Sequence, residues 1–189
     1  MKRLAVYCGS APGSDPVYAD MARAMAATMI DQGVDLVYGG GRLGLMGIVA
    51  DAVLDAGGKA YGVIPRSLVD LEVAHPRLTE LHIVTTMHER KAKMTELTDA
   101  FVALPGGIGT LDELFEAWTW NALGFHAKPF ALLNVNGFWD GLDTFMDTVV
   151  ASGFLSSARR EQLLMSHSPE EAIKLLDAAM AGAAQGMVW

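Results

Sequence analysis

The sequence predicts an open, doubly wound α/β fold: a mainly parallel sheet with helices on both faces. Three observations carry the prediction. Short runs of consecutive apolar residues recur along the chain, the pattern of strands buried on both faces. Most of these runs end on glycine or proline, the residues that turn a chain sharply. Segments with helical patterning lie between them, and strand–helix alternation at this spacing builds a parallel sheet.

Each element follows from its own residues. Residues 4–8 (Leu-Ala-Val-Tyr-Cys) run into Gly9-Ser10. A helix over 15–31 carries Ala and Met throughout, and Gly33 stops it. Residues 34–38 form a strand that meets Gly39-Gly40-Gly41, and a helix over 45–56 ends at Gly57-Gly58. A strand over 60–64 runs into Pro65, and one over 81–85 follows a loop containing His75-Pro76. After a helix over 86–98, residues 100–104 run into Pro105-Gly106-Gly107. A helix over 110–123 and a strand over 130–135 ending at Asn136-Gly137 come next. From Phe138 onward the Ala, Leu and Met spacing reads as helices over 139–152 and 169–180 that cover the sheet, with 182–189 a frayed tail. Ligands bind such sheets outside the carboxyl ends of the strands, so the loops after strands are where function is sought.

Composition narrows the function classes. The chain has 189 residues, no internal repeat and no linker, so residues 1–189 read as a single domain. At 51% hydrophobic and 19% charged it cannot be a disordered chain. A net charge of −8 and a pI near 5.0 lack the basic footprint of a protein that binds nucleic-acid polymers. One cysteine, Cys8, excludes an internal disulfide and a Cys-based zinc site, and points to the cytoplasm. The histidines at 75, 82, 88, 126 and 167 have no ligand spacing, so no metal is expected. No run approaches the roughly 20 apolar residues of a membrane span. The five apolar residues before Gly9 are too few for a signal-peptide core. A mean hydropathy of +0.27 and 11 Met suit a well-filled core and a buried subunit interface.

Two glycine loops follow strands. Gly39-Gly40-Gly41-Arg42-Leu43-Gly44 matches G-x-G-x-x-G, and such a loop brings backbone N–H groups up to a phosphate. A dinucleotide site wants an acid at the end of the next strand. That strand ends Val63-Ile64-Pro65-Arg66, without one. No Gly-Lys-Ser/Thr follows, so a Walker loop fails too, and a plain strand-to-helix turn accounts for some of these glycines. The second loop, Pro105-Gly106-Gly107-Ile108-Gly109-Thr110, opens a helix that carries Asp112, Glu113 and Glu116. Glycines and a hydroxyl at a helix N-terminus suit a phosphomonoester. Asp112 has a second explanation, since an acid there complements the helix dipole.

Helical geometry sorts the residues that follow. Leu111, Leu114, Phe115 and Trp118 share one side of the 110–123 helix, whereas Glu113, Glu116 and Trp120 share the other. Two carboxylates beside an aromatic ring could hold a sugar, and the two-sided apolar character suggests that this helix meets another subunit. In the 86–98 helix, Met87, Arg90, Lys91 and Met94 occupy the inward stripe. Unpaired buried charge is costly. Arg90 and Lys91 therefore either snorkel to the surface or line the site and meet an anion or a carboxylate such as Glu113.

Met87-His88-Glu89-Arg90-Lys91 reads as M-x-x-R-K, and residues 105–113 read as P-G-G-x-G-T-x-x-E. Together they resemble the "Lonely guy" family of cytokinin riboside 5′-monophosphate phosphoribohydrolases, many members of which have been misnamed lysine decarboxylases. The resemblance runs from the Gly9-Ser10 turn through Tyr38-Gly39-Gly40-Gly41 and Gly62-Val63-Ile64-Pro65 to Asn134, most of the chain. It implies a Rossmann-like fold, a homodimer, and no cofactor. It implies hydrolysis of the N-glycosidic bond of an N6-modified AMP, or of AMP, to free base and ribose 5-phosphate. Arg90 and Glu113 would be the catalytic pair. Lys91 and the Gly106, Gly107, Ile108, Gly109 and Thr110 loop would bind the nucleotide. Glu72 and Thr119 match positions that contact substrate, and Met87, Glu116, Gly9, Ser10, Gly39, Gly40 and Gly41 complete the expected binding set.

Cleaving this bond builds positive charge on the ribose, which a carboxylate beside C1′ can stabilise while orienting or deprotonating water. Glu113 is the candidate, with Glu116 assisting through ribose hydroxyls. Arg90 either holds Glu113 ionised and in place or contacts the ribose or phosphate. A non-catalytic nucleotide or cofactor carrier on the same scaffold is the alternative. A decarboxylase would need a Schiff-base lysine for pyridoxal phosphate, and Lys91 beside Arg90 fits phosphate binding better.

Overall fold

A computed structural model describes residues 1–69 and 74–185, with side chains as far as residue 182. Among these, the strands are β1 (Arg3–Tyr7), β2 (Asp35–Tyr38), β3 (Ala60–Pro65), β4 (Glu80–Val84), β5 (Ala100–Ala103), β6 (Phe130–Leu133) and β7 (Leu163–Ser166). The helices are α1 (Pro16–Asp31), α2 (Gly44–Asp55), α3 (Met87–Leu97), α4 (Ile108–Ala122), α5 (Asp140–Ala151), α6 (Ser157–Arg160) and α7 (Pro169–Gln185). The strands form one sheet in the order β4-β3-β2-β1-β5-β6-β7, and every pairing is parallel. The expected α/β class is the observed one.

The side-chain period of two divides the core. Leu4, Val6, Leu36, Tyr38, Val102, Leu104, Ala131 and Leu133 point to a layer covered by α1, α2 and α7. Ala5, Tyr7, Val37, Phe101, Ala103, Phe130 and Leu132 point to the other, covered by α3, α4 and α5. Strands buried on both faces read as continuous apolar runs for this reason. No described helix is long and apolar enough to cross a membrane.

Three expectations need correction. Residues 157–166 hold a helical turn and the strand β7, where no element was expected. β4 is not buried on both faces: at the sheet's end it pairs only with β3, and its Glu80 and Ile83 are exposed. Residues 182–185 continue α7 instead of fraying.

The strand order sets the place of the site. From β1 the chain moves outward through β2, β3 and β4, then returns to lay β5 on the other flank of β1. The chain leaves β1 and β5 in opposite directions, which opens a crevice between their carboxyl ends.

Candidate active site

The two loops that leave this crevice are tied together. The Gly9 N–H donates to the Pro105 carbonyl at 3.1 Å, and the Gly9 carbonyl accepts from Leu45 at the start of α2 at 3.0 Å. A Cβ on Gly9 would lie 2.9 Å from the Ala11 carbonyl oxygen and 3.4 Å from the Gly106 Cα. Only glycine lets these segments approach so closely.

A cavity of about 220 Å³ opens here. Cys8, Gly9 and Ser10 after β1, Met46 of α2, Arg90 of α3, and Gly107, Ile108, Gly109, Thr110 and Glu113 of the α4 end line it. No side chain caps the α4 N-terminus at Gly107. Its first-turn N–H groups therefore retain hydrogen-bonding capacity, and the helix dipole adds positive potential. That end of the cavity suits an anion.

Glu113 lies one turn into α4 and is 9% exposed; Arg90 is 4% exposed. Arg90 Nη2 stands 3.9 Å from Glu113 Oε1. The guanidinium is fixed from behind, because Nε donates to the Val63 carbonyl and Nη2 to the Gly39 carbonyl, both at 3.1 Å. A Cβ on Gly39 would come within 2.1 Å of Nη2. The Cys8 thiol is pushed far up by burial and then by the Glu113 charge. The Tyr7 phenol, stacked on Phe101, is raised by burial and then by Glu113 and Glu116. The pocket therefore presents a carboxylate, a guanidinium, a protonated thiol and hydroxyls around a helix end.

The other expected residues lie elsewhere. Gly39, Gly40 and Gly41 do not line the cavity. Gly39 holds Arg90, Gly40 accepts from the His75 N–H at 3.0 Å, and Gly41 bridges Ala74. Gly106 lies behind the cavity, against the Thr110 side chain. Met87 is half-exposed, with its sulfur 3.8 Å from Arg90 Nη1. Lys91 is only 7% exposed and is engaged by Asp112 and Glu116, outside the cavity lining. Trp120 packs edge-on against Phe125. Thr119 borders a separate apolar groove between α4 and α5. Glu72 falls outside the described residues. Sequence reasoning missed two lining residues, Cys8 and Met46. The position of Cys8 at the carboxyl end of β1 was the available signal. Among the described residues, no group of three or more His, Cys, Asp or Glu could hold a metal.

A sequence profile described as "Possible lysine decarboxylase" matches residues 46–176. The cytokinin riboside 5′-monophosphate phosphoribohydrolase LOG of Oryza sativa subsp. japonica is 45% identical over 188 residues, all of this chain and 78% of that protein. A phosphoribohydrolase of the same name series from Arabidopsis thaliana is 45% identical over 93% of this chain and 83% of that one. Among solved structures, a structural-genomics X-ray structure aligns with a TM-score of 0.71 and 27% identity, covering 94% of this chain and 99% of that one. The molybdenum cofactor carrier protein of Chlamydomonas reinhardtii aligns with a TM-score of 0.72 at 19% identity, covering 96% and 99%. That likeness is one of fold alone.

Proposed function

The chain belongs to the Lonely guy family of phosphoribohydrolases, and from that premise we propose that it hydrolyses the N-glycosidic bond of a nucleoside 5′-monophosphate. The substrate class is AMP or an N6-modified AMP, and the products are free base and ribose 5-phosphate. The observation that carries this reading is Glu113 facing Arg90 across a cavity floored by the uncapped start of α4.

The 5′-phosphate sits on the N–H groups of residues 107–110, with the Ser10 and Thr110 hydroxyls in reach of the same cavity. Binding energy spent there positions C1′ away from the phosphate. As the C1′–N bond breaks, the base leaves with the bonding pair and takes up a proton. Glu113 stabilises the positive ribose and accepts a proton from the attacking water. Arg90 holds Glu113 in place, and its anchors on Val63 of β3 and on Gly39 just after β2 keep it still at no reorganisation cost during reaction.

A decarboxylase needs a neutral lysine amine. The Lys91 ammonium is held by two carboxylates, which leaves it protonated and unreactive. The carrier alternative has only the shared fold behind it. The apolar groove between α4 and α5, bordered by Phe115, Trp118, Met146, Val149 and a Phe154 that is 85% exposed, supports a homodimer built on this face. The acidic surface speaks against nucleic-acid polymers as partners, and the single buried cysteine suits the cytoplasm.

The direct test is chromatography of AMP and isopentenyladenosine monophosphate after incubation with the protein. Free base and ribose 5-phosphate are expected in equal amounts, with the unphosphorylated nucleosides reacting poorly. Intact nucleotide after prolonged incubation would overturn the reading.

A further inference from the structure

Lys91 stands apart from the cavity it was expected to serve. Its ammonium lies 3.1 Å and 3.3 Å from the two Asp112 oxygens and is also bound by Glu116. Burial pulls the ammonium toward neutrality, and the hydrogen bonds it donates to Glu116 and Asp112 more than reverse this, leaving it raised. Asp112 and Glu116 are four residues apart on α4, so they share a stripe, and they bracket Glu113. A single buried cation that grips both fixes the rotation of α4 about its own axis.

The neighbouring Arg90 is anchored to the sheet through the Val63 and Gly39 carbonyls. Consecutive residues of α3 thus make two attachments, one to the strands and one to α4. The span between them is the 3.9 Å separation of Arg90 and Glu113. Charge points the same way. Arg90 and Lys91 supply two positive charges against three negative ones on Asp112, Glu113 and Glu116, so without Lys91 the imbalance at the phosphate end of α4 would grow from −1 to −2.

We propose that Lys91 is a positioning residue that locks α4 and neutralises Asp112 and Glu116 so that Glu113 faces Arg90, and that it is not a phosphate ligand. This assignment rests on the hydrolase reading for its kinetic consequence, but its structural core does not.

The test uses the full chain as wild type, Lys91→Met, Lys91→Arg, Glu116→Gln and the double variant Lys91→Met/Glu116→Gln. With AMP, Lys91→Met is expected to lower kcat about tenfold or more while KM stays within about threefold, and Lys91→Arg to recover most of the loss. Calorimetry with ribose 5-phosphate is expected to give wild-type affinity for Lys91→Met within about threefold. In thermal unfolding, the Lys91→Met and Glu116→Gln shifts are expected to be non-additive, with the double variant about as stable as Lys91→Met alone. A Lys91→Met protein that binds ribose 5-phosphate about tenfold or more weaker, with unchanged kcat, would overturn the proposal. Additive thermal shifts would overturn it as well. If Lys91→Met does not fold, Lys91→Gln carries the same comparisons. Wild-type protein that never releases adenine would defeat the hydrolase reading instead, and the thermal and calorimetric arms would still decide the role of the lysine.

Discussion

At the scale of single residues, the site depends on a few atoms held from behind. Glu113→Gln keeps the shape of the side chain but removes its charge, so adenine release from AMP is expected to fall at least about a hundredfold. Circular dichroism should show the fold unchanged. Near-normal turnover would remove Glu113 from the mechanism. Cys8 makes the opposite kind of prediction. Burial and the nearby Glu113 charge raise its pKa, so the thiolate is scarce at pH 8. Iodoacetamide at that pH should leave the native protein unmodified by mass and alkylate it once in denaturant. Arg90 was legible in sequence because it breaks the apolar stripe of its helix, and Glu113 because it follows a glycine loop on the polar side of α4; a catalytic role for the two came only from the family resemblance. Met46 was not, since an apolar wall carries no chemical signature, and Cys8 was marked only by its position at the carboxyl end of β1. Gly39 was legible as special, and the structure supplies a reason the sequence did not show: its missing side chain makes room for Arg90.

At the scale of elements, the start of β1 is held by one carboxylate. Asp99 accepts from the backbone N–H groups of Lys2 at 2.6 Å and Arg3 at 3.0 Å. Burial pushes its pKa up, but the Arg3 and Lys2 hydrogen bonds pull it lower still, for a net fall below the ordinary value. A carboxyl group depressed in the folded state contributes stability at neutral pH and loses it as pH falls through the folded value. Asp99→Asn should therefore cost about 1 kcal/mol near pH 7, allowing for solvent screening. Its urea midpoint should converge with that of wild type below about pH 4. A constant gap across that range would refute the assignment. Helix and strand positions inside the sheet were readable because both faces demand apolar residues. The ends were harder. β7 offers only Leu163-Leu164-Met165 before Ser166, too short a run to distinguish from helix, and β4 alternates charged and apolar residues because one flank meets water.

At the scale of the whole molecule, the apolar face of α4 and α5 is the feature a second copy would cover. Phe154, Phe145, Phe125 and Leu123 are exposed there and on the adjoining loops, more than scattered surface apolar residues explain. Phe154→Glu should convert a dimer to a monomer in sedimentation at micromolar concentration with little loss of helical content. A wild-type protein that sediments as a monomer would refute the dimer. Thr119 lies on this face, which is why a helical period drawn on one chain could not bring it to the cavity.

The direction in which the chain departs from β1 and β5, and no gap in the packed layers, opens the cleft. The reacting end and the strand ladder thus answer to different residues. A protein built this way can be refitted for another phosphorylated sugar by rewriting Ser10 and the first turn of α4, while Gly9 and its hydrogen-bonded frame carry on unaltered.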